Sequence, residues 1–174
     1  MFKFSKISVL KVVKGGKLPE ILDGMLRKAG VERIFSADNL SQMFDIIREE
    51  KVDIVLIDDN PPVLEGVNLI SEIRLGEDSP DCYLPVILMS RSKSIRRTSQ
   101  ALEAGVHTIM LQPFPASRLL SHITRCITDP PKFVCSDQYF GPDRKSMDKP
   151  ASPAVAERSM FEEQEGLQEQ VDAL

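Results

Sequence analysis

Short apolar segments alternate with longer amphipathic segments through most of the chain. Five short segments rich in β-branched residues are typical of buried parallel strands and lie at residues 7–13, 33–36, 53–57, 85–89 and 107–111. Each is followed by a segment whose apolar residues recur at helical spacing. This alternation predicts an α/β fold with a parallel sheet and helices on both faces. Right-handed crossovers favour the strand order 2-1-3-4-5, which is a doubly wound (βα)5 flavodoxin-like sheet.

The texture of the sequence changes after residue 128. Residues 129–174 hold 5 of the 12 prolines and few apolar residues, so we expect a mostly disordered C-terminal tail. An apolar patch interrupts it, formed by Phe133, Val134, Tyr139 and Phe140, which either lies back on the domain or enters a groove of a partner. Residues 160–174 have the pattern of an acidic amphipathic helix. The predicted organisation is one domain at 6–128 and an acidic, proline-containing tail at 129–174.

Charge and composition narrow the class of protein. Residues 1–128 carry 17 Lys and Arg against 16 Asp and Glu, whereas residues 129–174 carry 5 against 10. Without a basic stripe we expect no nucleic acid as a partner. No apolar run reaches the ~18 residues of a membrane span, so no membrane insertion is expected. The three cysteines lack CxxC spacing, which favours free thiols in the cytoplasm.

Polar residues follow three of the predicted strands. Asp58 follows the third strand, Ser90 the fourth and Gln112 the fifth. Because the carboxyl ends of parallel strands meet at one edge of the sheet, where ligands bind in open α/β folds, we expect these side chains to converge there. Asp59 is expected to be a solvated turn residue.

The spacing around Asp58 resembles that of the receiver domain of bacterial response regulators, in the single-domain form of the chemotaxis regulators. Pro62 lies four residues after Asp58 and Gly66 eight residues after it, while Ser90 ends the fourth strand and Pro113 follows the fifth. The resemblance covers about 120 residues. It implies that Asp58 is at the position of the aspartate that accepts a phosphoryl group from a histidine kinase, and that Ser90 is the switch residue.

The sequence departs from the receiver pattern at the metal site. The acidic pair that holds Mg²⁺ in receivers is replaced by Val13 and Lys14, and the lysine after the fifth strand is replaced by Gln112. Asp58 with Asn60 is only a weak candidate for a metal site, so we predict no metal and no cofactor, and Mg²⁺ only if Asp58 accepts a phosphoryl group. Lys14 is expected to neutralise the carboxylate of Asp58. We also predict a cis peptide bond at Gln112-Pro113.

The preferred function is that of a receiver-like signalling protein of a bacterial phosphorelay, not an enzyme, which acts by protein–protein contact and is degenerate in Mg²⁺-dependent phosphorylation. The first alternative is a working response regulator that is phosphorylated on Asp58. The second is a binding module for an anionic small ligand through Arg91, Arg96 and Arg97, since Arg side chains suit phosphate.

The expected partners are a histidine kinase or a downstream target, and the oligomeric state is left open. Receivers commonly bind partners through the fourth helix, the fifth strand and the last helix. The candidate partner-binding residues are Arg96, Arg97, Ile109, Arg118, Phe133, Tyr139 and Phe140.

Overall fold

The computed structural model describes residues 2–62 and 65–147. After a short 3-10 turn at Phe4–Lys6, the elements follow in the order β1 (Ser8–Val12), α1 (Leu18–Lys28), β2 (Arg33–Ala37), α2 (Leu40–Glu49), β3 (Ile54–Asp59), α3 (Gly66–Leu75), β4 (Val86–Ser90), α4 (Ile95–Glu103), β5 (Thr108–Leu111), α5 (Ala116–Thr128), β6 (Phe133–Ser136), β7 (Tyr139–Pro142) and α6 (Arg144–Met147).

The first five strands form one parallel sheet with the order β2-β1-β3-β4-β5. This confirms the predicted doubly wound fold, and the bounds of the strands differ from those predicted by one or two residues. One hydrophobic cluster packs α2, α3 and α4 against the sheet, and a second packs α1 and α5 against the opposite face.

Alternation along β3 assigns each of its residues to one of these two faces. Ile54 and Leu56 pack in the cluster with α1 and α5, whereas Val55 and Ile57 pack in the cluster with α2, α3 and α4. Since successive side chains of a strand point to opposite faces, Asp58 is on the same face as Ile54 and Leu56, and Asp59 is on the same face as Val55 and Ile57. Both belong to the strand, which the sequence had predicted to end at Ile57.

The strands β6 and β7, within residues 133–142, form an antiparallel hairpin. The hairpin belongs to the same compact unit as the sheet, and that unit ends at Pro142. Its rings pack with Tyr83 from the loop before β4, with ring centroids 5.1 Å from Phe133 and 5.4 Å from Phe140. The domain therefore extends beyond the predicted boundary at residue 128 and includes the hairpin. Of the two alternatives for the apolar patch, the structure favours the one in which it lies on the domain.

Under the hairpin lies a buried polar pair, Arg74 of α3 and His107 just before β5. The guanidinium of Arg74 donates to the carbonyls of Gly105, Cys82 and Leu84, each at 2.9 Å, and lies 5.1 Å from the centroid of the Phe133 ring. Its Nη2 is 3.1 Å from Nδ1 of His107, which also accepts from the backbone N–H of Val86. This network ties α3, β4 and the start of β5 together at the amino edge of the sheet.

The hairpin packs tightly against the loop before β5 at two glycines, Gly105 and Gly141. A Cβ on Gly141 would lie 2.9 Å from the Cα of Gly105, and a Cβ on Gly105 would lie 2.8 Å from the carbonyl oxygen of Phe140. Gly105 also has a φ of +92°, which side-chain-bearing residues rarely adopt. The contact therefore requires glycine at both positions.

Residues from Asp143 onward belong to a second unit, of which the structure describes the four-residue helix α6. The predicted acidic helix at 160–174 lies outside the described residues. None of the helices within residues 2–62 and 65–147 is long and apolar enough to cross a membrane.

Candidate functional site

Asp58 lies at the carboxyl edge of the sheet with its side chain 1% exposed. Nε2 of Gln112 donates to its Oδ1 at 2.8 Å, and Nη2 of the exposed Arg91 is 3.9 Å from its Oδ2. Burial raises the pKa of Asp58 above its usual value, opposed by the hydrogen bond from Gln112 and the charge of Arg91. Asp58 and Gln112 thus converge as predicted, around a carboxyl group that is closed off from solvent.

Val13 and Lys14, which replace the acidic pair of receivers, differ in burial. The pairing of β1 with β3 ends with Val12 opposite Ile57, so Val13, the first residue after β1, follows next to Asp58 in the same register, and it is buried. Lys14 is exposed. Among the described residues, Asp58 is hydrogen-bonded to Gln112 and ion-paired with Arg91, and the predicted ion pair with Lys14 is not formed.

Asp59 is not a solvated turn residue as predicted, but is 4% exposed on the face opposite Asp58. Arg97 of α4 donates to it through both sides of its guanidinium, from Nε to Oδ2 at 2.7 Å and from Nη2 to Oδ1 at 2.6 Å. The same Nη2 donates to Oε2 of Glu65 at 3.0 Å. The hydrogen bonds to Asp59 raise the pKa of Arg97 further above its usual range.

This ion pair corrects the interpretation of Arg97. Its side chain is 23% exposed, and its Nε and Nη2 bond to Asp59 and Glu65, so Arg97 is part of an internal ion pair and not of a fully exposed basic cluster. Sequence reasoning missed both acidic partners. If β3 had been predicted two residues longer, strand alternation would have placed Asp59 on the buried face towards α3 and α4.

Gly66 explains why α3 begins so close to β3. Its N–H donates to Oδ1 of Asp59 at 3.1 Å. A Cβ at this position would lie 3.2 Å from Cα and Cβ of Asp59 and 2.7 Å from Cδ1 of Leu88. The glycine at the receiver spacing therefore allows the start of α3 to touch the strand.

The Mg²⁺ that receivers use does not fit the residues at this edge. A hard divalent cation needs several oxygen ligands, yet Val13 stands beside Asp58 and Asp59 faces the other side of the sheet. Asn60 has no hydrogen bond or ion pair to Asp58 among the described residues. Within residues 2–62 and 65–147 no group of three or more His, Cys, Asp or Glu side chains is arranged to hold a metal.

Ser90 and Ile109 lie on the α4 side of the sheet. The hydroxyl of the buried Ser90 accepts from the backbone N–H of Ser92 at 3.1 Å. Ile109 is partly buried against the cluster under α4. Both line a gap beneath α4 that is too narrow to hold a water molecule.

The other predicted partner-binding residues separate into two regions. Arg96 and Arg118 are exposed on α4 and α5. Phe133, Tyr139 and Phe140 pack within the hairpin and against the amino edge. The structure therefore does not bring the aromatic residues to the surface that holds Arg96 and Arg118.

The predicted cis peptide bond at Gln112-Pro113 is confirmed, and Pro61-Pro62 is also cis. Gln112 continues from β5, with its backbone N–H donating to the carbonyl of Ser90 at 2.8 Å.

Residues 17–124 match the family described as the response regulator receiver domain. This match spans more than half of the chain, so the chain belongs to the receiver family of two-component signalling. Its members are signalling domains, and the resemblance read from the spacing around Asp58 is confirmed at the level of the family.

Related proteins differ widely in length. The chain is 26% identical to the sensory/regulatory protein RpfC of Xanthomonas campestris pv. campestris over 100 residues, which are 58% of this chain but only 14% of RpfC. It is 26% identical to the chemotaxis protein CheY-3 of Vibrio cholerae over 113 residues, 65% of this chain and 85% of that protein.

Solved structures share the fold. A response regulator from Thermotoga maritima aligns with a TM-score of 0.58 at 27% identity, over 71% of this chain and 99% of the other. The receiver domain of the sensor histidine kinase PA1611 of Pseudomonas aeruginosa, solved with magnesium in its active site cleft, has a TM-score of 0.60 at 24% identity, over 71% and 98%.

Proposed function

We propose that this chain is a receiver-like signalling protein of a bacterial two-component system that acts in the cytoplasm through protein–protein contact, without Mg²⁺-dependent phosphorylation and without enzymatic activity. The observation that carries this proposal is the environment of Asp58. The carboxyl group is buried beside Val13 and bonded to Gln112, where receivers have acidic residues and a lysine.

The physical argument concerns charge. Transfer of a phosphoryl group to a carboxylate crowds negative charge, which Mg²⁺ and a lysine offset in receivers. Here the one cation near Asp58 within the described residues is Arg91, at 3.9 Å and 62% exposed, and an exposed charge at this distance is screened by water. The raised pKa of Asp58 points the same way, since burial makes the charged carboxylate less favourable than it is in water.

Titration with Mg²⁺ and beryllofluoride, followed by residue-resolved NMR, tests the proposal. The wild-type chain should show no saturable shift of the amides around Asp58 up to about 20 mM Mg²⁺. This range is wide enough to detect a site with a dissociation constant of roughly low-millimolar size, as expected of a weak oxygen site. Saturable binding centred on Asp58 would support the phosphoacceptor alternative instead.

A restored site provides the positive control. The triple variant Val13→Asp, Lys14→Asp and Gln112→Lys supplies the acidic pair and the lysine at the predicted positions. It should gain Mg²⁺-dependent shifts that disappear when Asp58→Asn is added. A response in this variant and none in the wild type would show that the assay detects a functional site.

The proposed partner surface is the α4–β5–α5 face, defined here by Ile95, Arg96, Leu102, Leu111 and Arg118. Ile95 is 84% exposed, Leu111 41% and Leu102 38%, which is unusual for large apolar side chains. Residues 91–125 contain six Lys and Arg but one acidic residue. The combination fits a partner that presents apolar and acidic side chains.

Substitution on this face tests its role. The variant Ile95→Glu with Arg96→Glu should lose the proteins that co-purify with the wild-type chain from its host cells. The control is Arg33→Glu, on an exposed part of the edge strand β2. Equal recovery by both variants would exclude the α4–β5–α5 face as the partner surface.

A further inference from the structure

The guanidinium of Arg97 joins three elements of the fold. It belongs to the first turn of α4, bonds to Asp59 at the end of β3 at 2.6 and 2.7 Å, and bonds at 3.0 Å to Glu65, the residue before α3. Asp59 in turn accepts from the N–H of Gly66, the first residue of α3. One side chain therefore connects α4 to β3 and to the start of α3.

The contact has the features of a strong ion pair. Its hydrogen bonds are charge-assisted, and the two that reach Asp59 form a fork that fixes the orientation of the guanidinium as well as its distance. The side chain of Asp59 is 1% exposed, so salt and water screen the pair far less than they screen a pair on the surface. The loss of Arg97 would leave a buried carboxylate uncompensated.

The rest of α4 is weakly anchored. Ala101 is its one buried residue, and Ile95 at its start is 84% exposed. The N–H of Arg97 is capped by the hydroxyl of Ser94 at 3.4 Å, a contact within the helix start that does not connect it to the sheet. The position of the first half of α4 on the sheet therefore depends mainly on Arg97.

Asp58 and Arg97 lie on opposite sides of the sheet. Asp58 points to the face of α1 and α5, where its contacts are Gln112 and Arg91, while Asp59 and Arg97 lie on the face of α3 and α4. The ion pair that holds α4 is thus complete in the chain with an unmodified Asp58.

We infer that Arg97 is a positioning residue, which holds α4, and with it the α4–β5–α5 face, in one arrangement that does not depend on the chemical state of Asp58. This inference rests on the proposed function in one respect, namely that this face is the partner surface. The state of the face is then set by an internal ion pair, and the protein presents it to partners continuously.

Amide hydrogen exchange of the full chain tests the positioning role, with Arg97→Gln compared with Arg96→Gln. The two variants remove one charge each from neighbouring positions of the same helix, and Arg96 is exposed. In Arg97→Gln the amides of α4 should exchange at least about tenfold faster, and those of β1 and β3 should change less, because local opening precedes global unfolding. Arg96→Gln should match the wild type.

Two results would overturn the inference. One is unchanged exchange of α4 in Arg97→Gln, and the other is an equal change in α4 and in the core strands, which would mean a contribution to global stability alone. If Arg97→Gln does not fold, Arg97→Lys serves instead. It keeps the charge but loses the fork, and it should show the same local effect with a smaller size.

A separate NMR measurement tests whether the α4–β5–α5 face is independent of Asp58. Methyl resonances of Leu102 and Leu111 report the α4–β5–α5 face without lining the gap next to Arg97. They should shift in Arg97→Gln and remain at their wild-type positions in Asp58→Asn. Shifts of equal size in both variants would show that Asp58 controls the face after all.

These outcomes are distinct from those of the Mg²⁺ titration. If the wild-type chain binds Mg²⁺ and beryllofluoride but Asp58→Asn leaves the face unchanged and Arg97→Gln loosens α4, the proposed function fails and the role of Arg97 stands. If the wild-type chain does not respond to Mg²⁺ and α4 is unaffected in Arg97→Gln, the proposed function stands and the role of Arg97 fails.

Discussion

The two edges of the sheet both bury charged groups, but they compensate them unequally. At the amino edge, Arg74 reaches three carbonyls and His107 and packs against Phe133. At the carboxyl edge, the partners of Asp58 within the described residues are Gln112, which donates a hydrogen bond, and the exposed Arg91 at 3.9 Å. Because an ion taken out of water is stable only with well-placed partners, the first arrangement should stabilise the fold and the second should cost free energy.

The comparison extends to neighbouring residues. Asp58 and Asp59 are adjacent in β3 and almost equally buried, yet Asp59 has a forked arginine and a backbone N–H donor. Burial alone therefore does not tell whether a charged residue holds a fold together. The number and geometry of its partners do.

The largest effect is expected at the amino edge, from Arg74→Leu. The substitution leaves the carbonyls of Gly105, Cys82 and Leu84 without this donor, and should lower the free energy of unfolding by about 3 kcal/mol or more. Urea denaturation measures the change. Arg33→Leu, which removes an exposed ion pair to Glu50, is the control and should cost under about 1 kcal/mol. Similar small losses in both variants would contradict the importance of the network.

The hairpin gives the next largest effect. Phe133→Ala removes a ring that contacts Tyr83, Phe140, His107 and the guanidinium of Arg74, and should cost about 2 to 3 kcal/mol. Val134→Ala, at the adjacent position with 39% exposure, should cost under about 1 kcal/mol. Thermal unfolding of the two variants distinguishes a hairpin that is part of the domain from one that is only attached to it.

At the carboxyl edge, Asp58→Asn should change stability in the opposite direction. The raised pKa of Asp58 means that the folded state binds its proton more tightly than the unfolded state, so ionisation destabilises the fold at neutral pH. The variant should gain up to about 1 kcal/mol at pH 7. The gain should shrink as the pH falls through the folded pKa and vanish below the unfolded value near 3.8. Denaturation at several pH values checks this, and a variant less stable than the wild type at pH 7 would show that Asp58 is well compensated.

The smallest effect is expected for Arg91→Gln. Its guanidinium is 62% exposed and 3.9 Å from Asp58, so its removal should change the free energy of unfolding by less than about 0.5 kcal/mol. The loss of its charge should raise the pKa of Asp58 a little further, which NMR titration of the side-chain carboxyl carbon of Asp58 measures. A fall in that pKa would contradict the assigned electrostatics.

Much of the carboxyl edge follows from local sequence. Asp58, Ser90 and Gln112 each follow or end a short apolar strand, and parallel topology alone brings them to one edge. The replacement of the acidic pair is equally local, because no acidic residue occurs between Lys6 and Pro19. These features needed only residue identities and the order of the elements.

The wrong predictions for Asp59 and Arg97 have a common origin. A strand β3 that ends at Ile57 places Asp59 in a turn, and Arg97 is then grouped with Arg91 and Arg96 as a candidate binding residue. The partner of Arg97 is 38 residues away in the chain, and nothing in local spacing indicates which of the neighbouring arginines turns inward. Lys11 is a similar case, a buried lysine in β1 that pairs with Asp23 of α1 at 2.6 Å.

The sequence by itself determined the strand order, the family and the absence of acidic ligands in the loop after β1, because these depend on the period of apolar residues and on which residue types stand at fixed spacings. Only the tertiary structure decided that Arg97 belongs to the framework, that Arg91 rather than Lys14 is near Asp58, and that the aromatic residues after α5 close the amino edge. These contacts join residues far apart in the chain, and their direction is set by strand alternation and by the packing of helices on each face of the sheet.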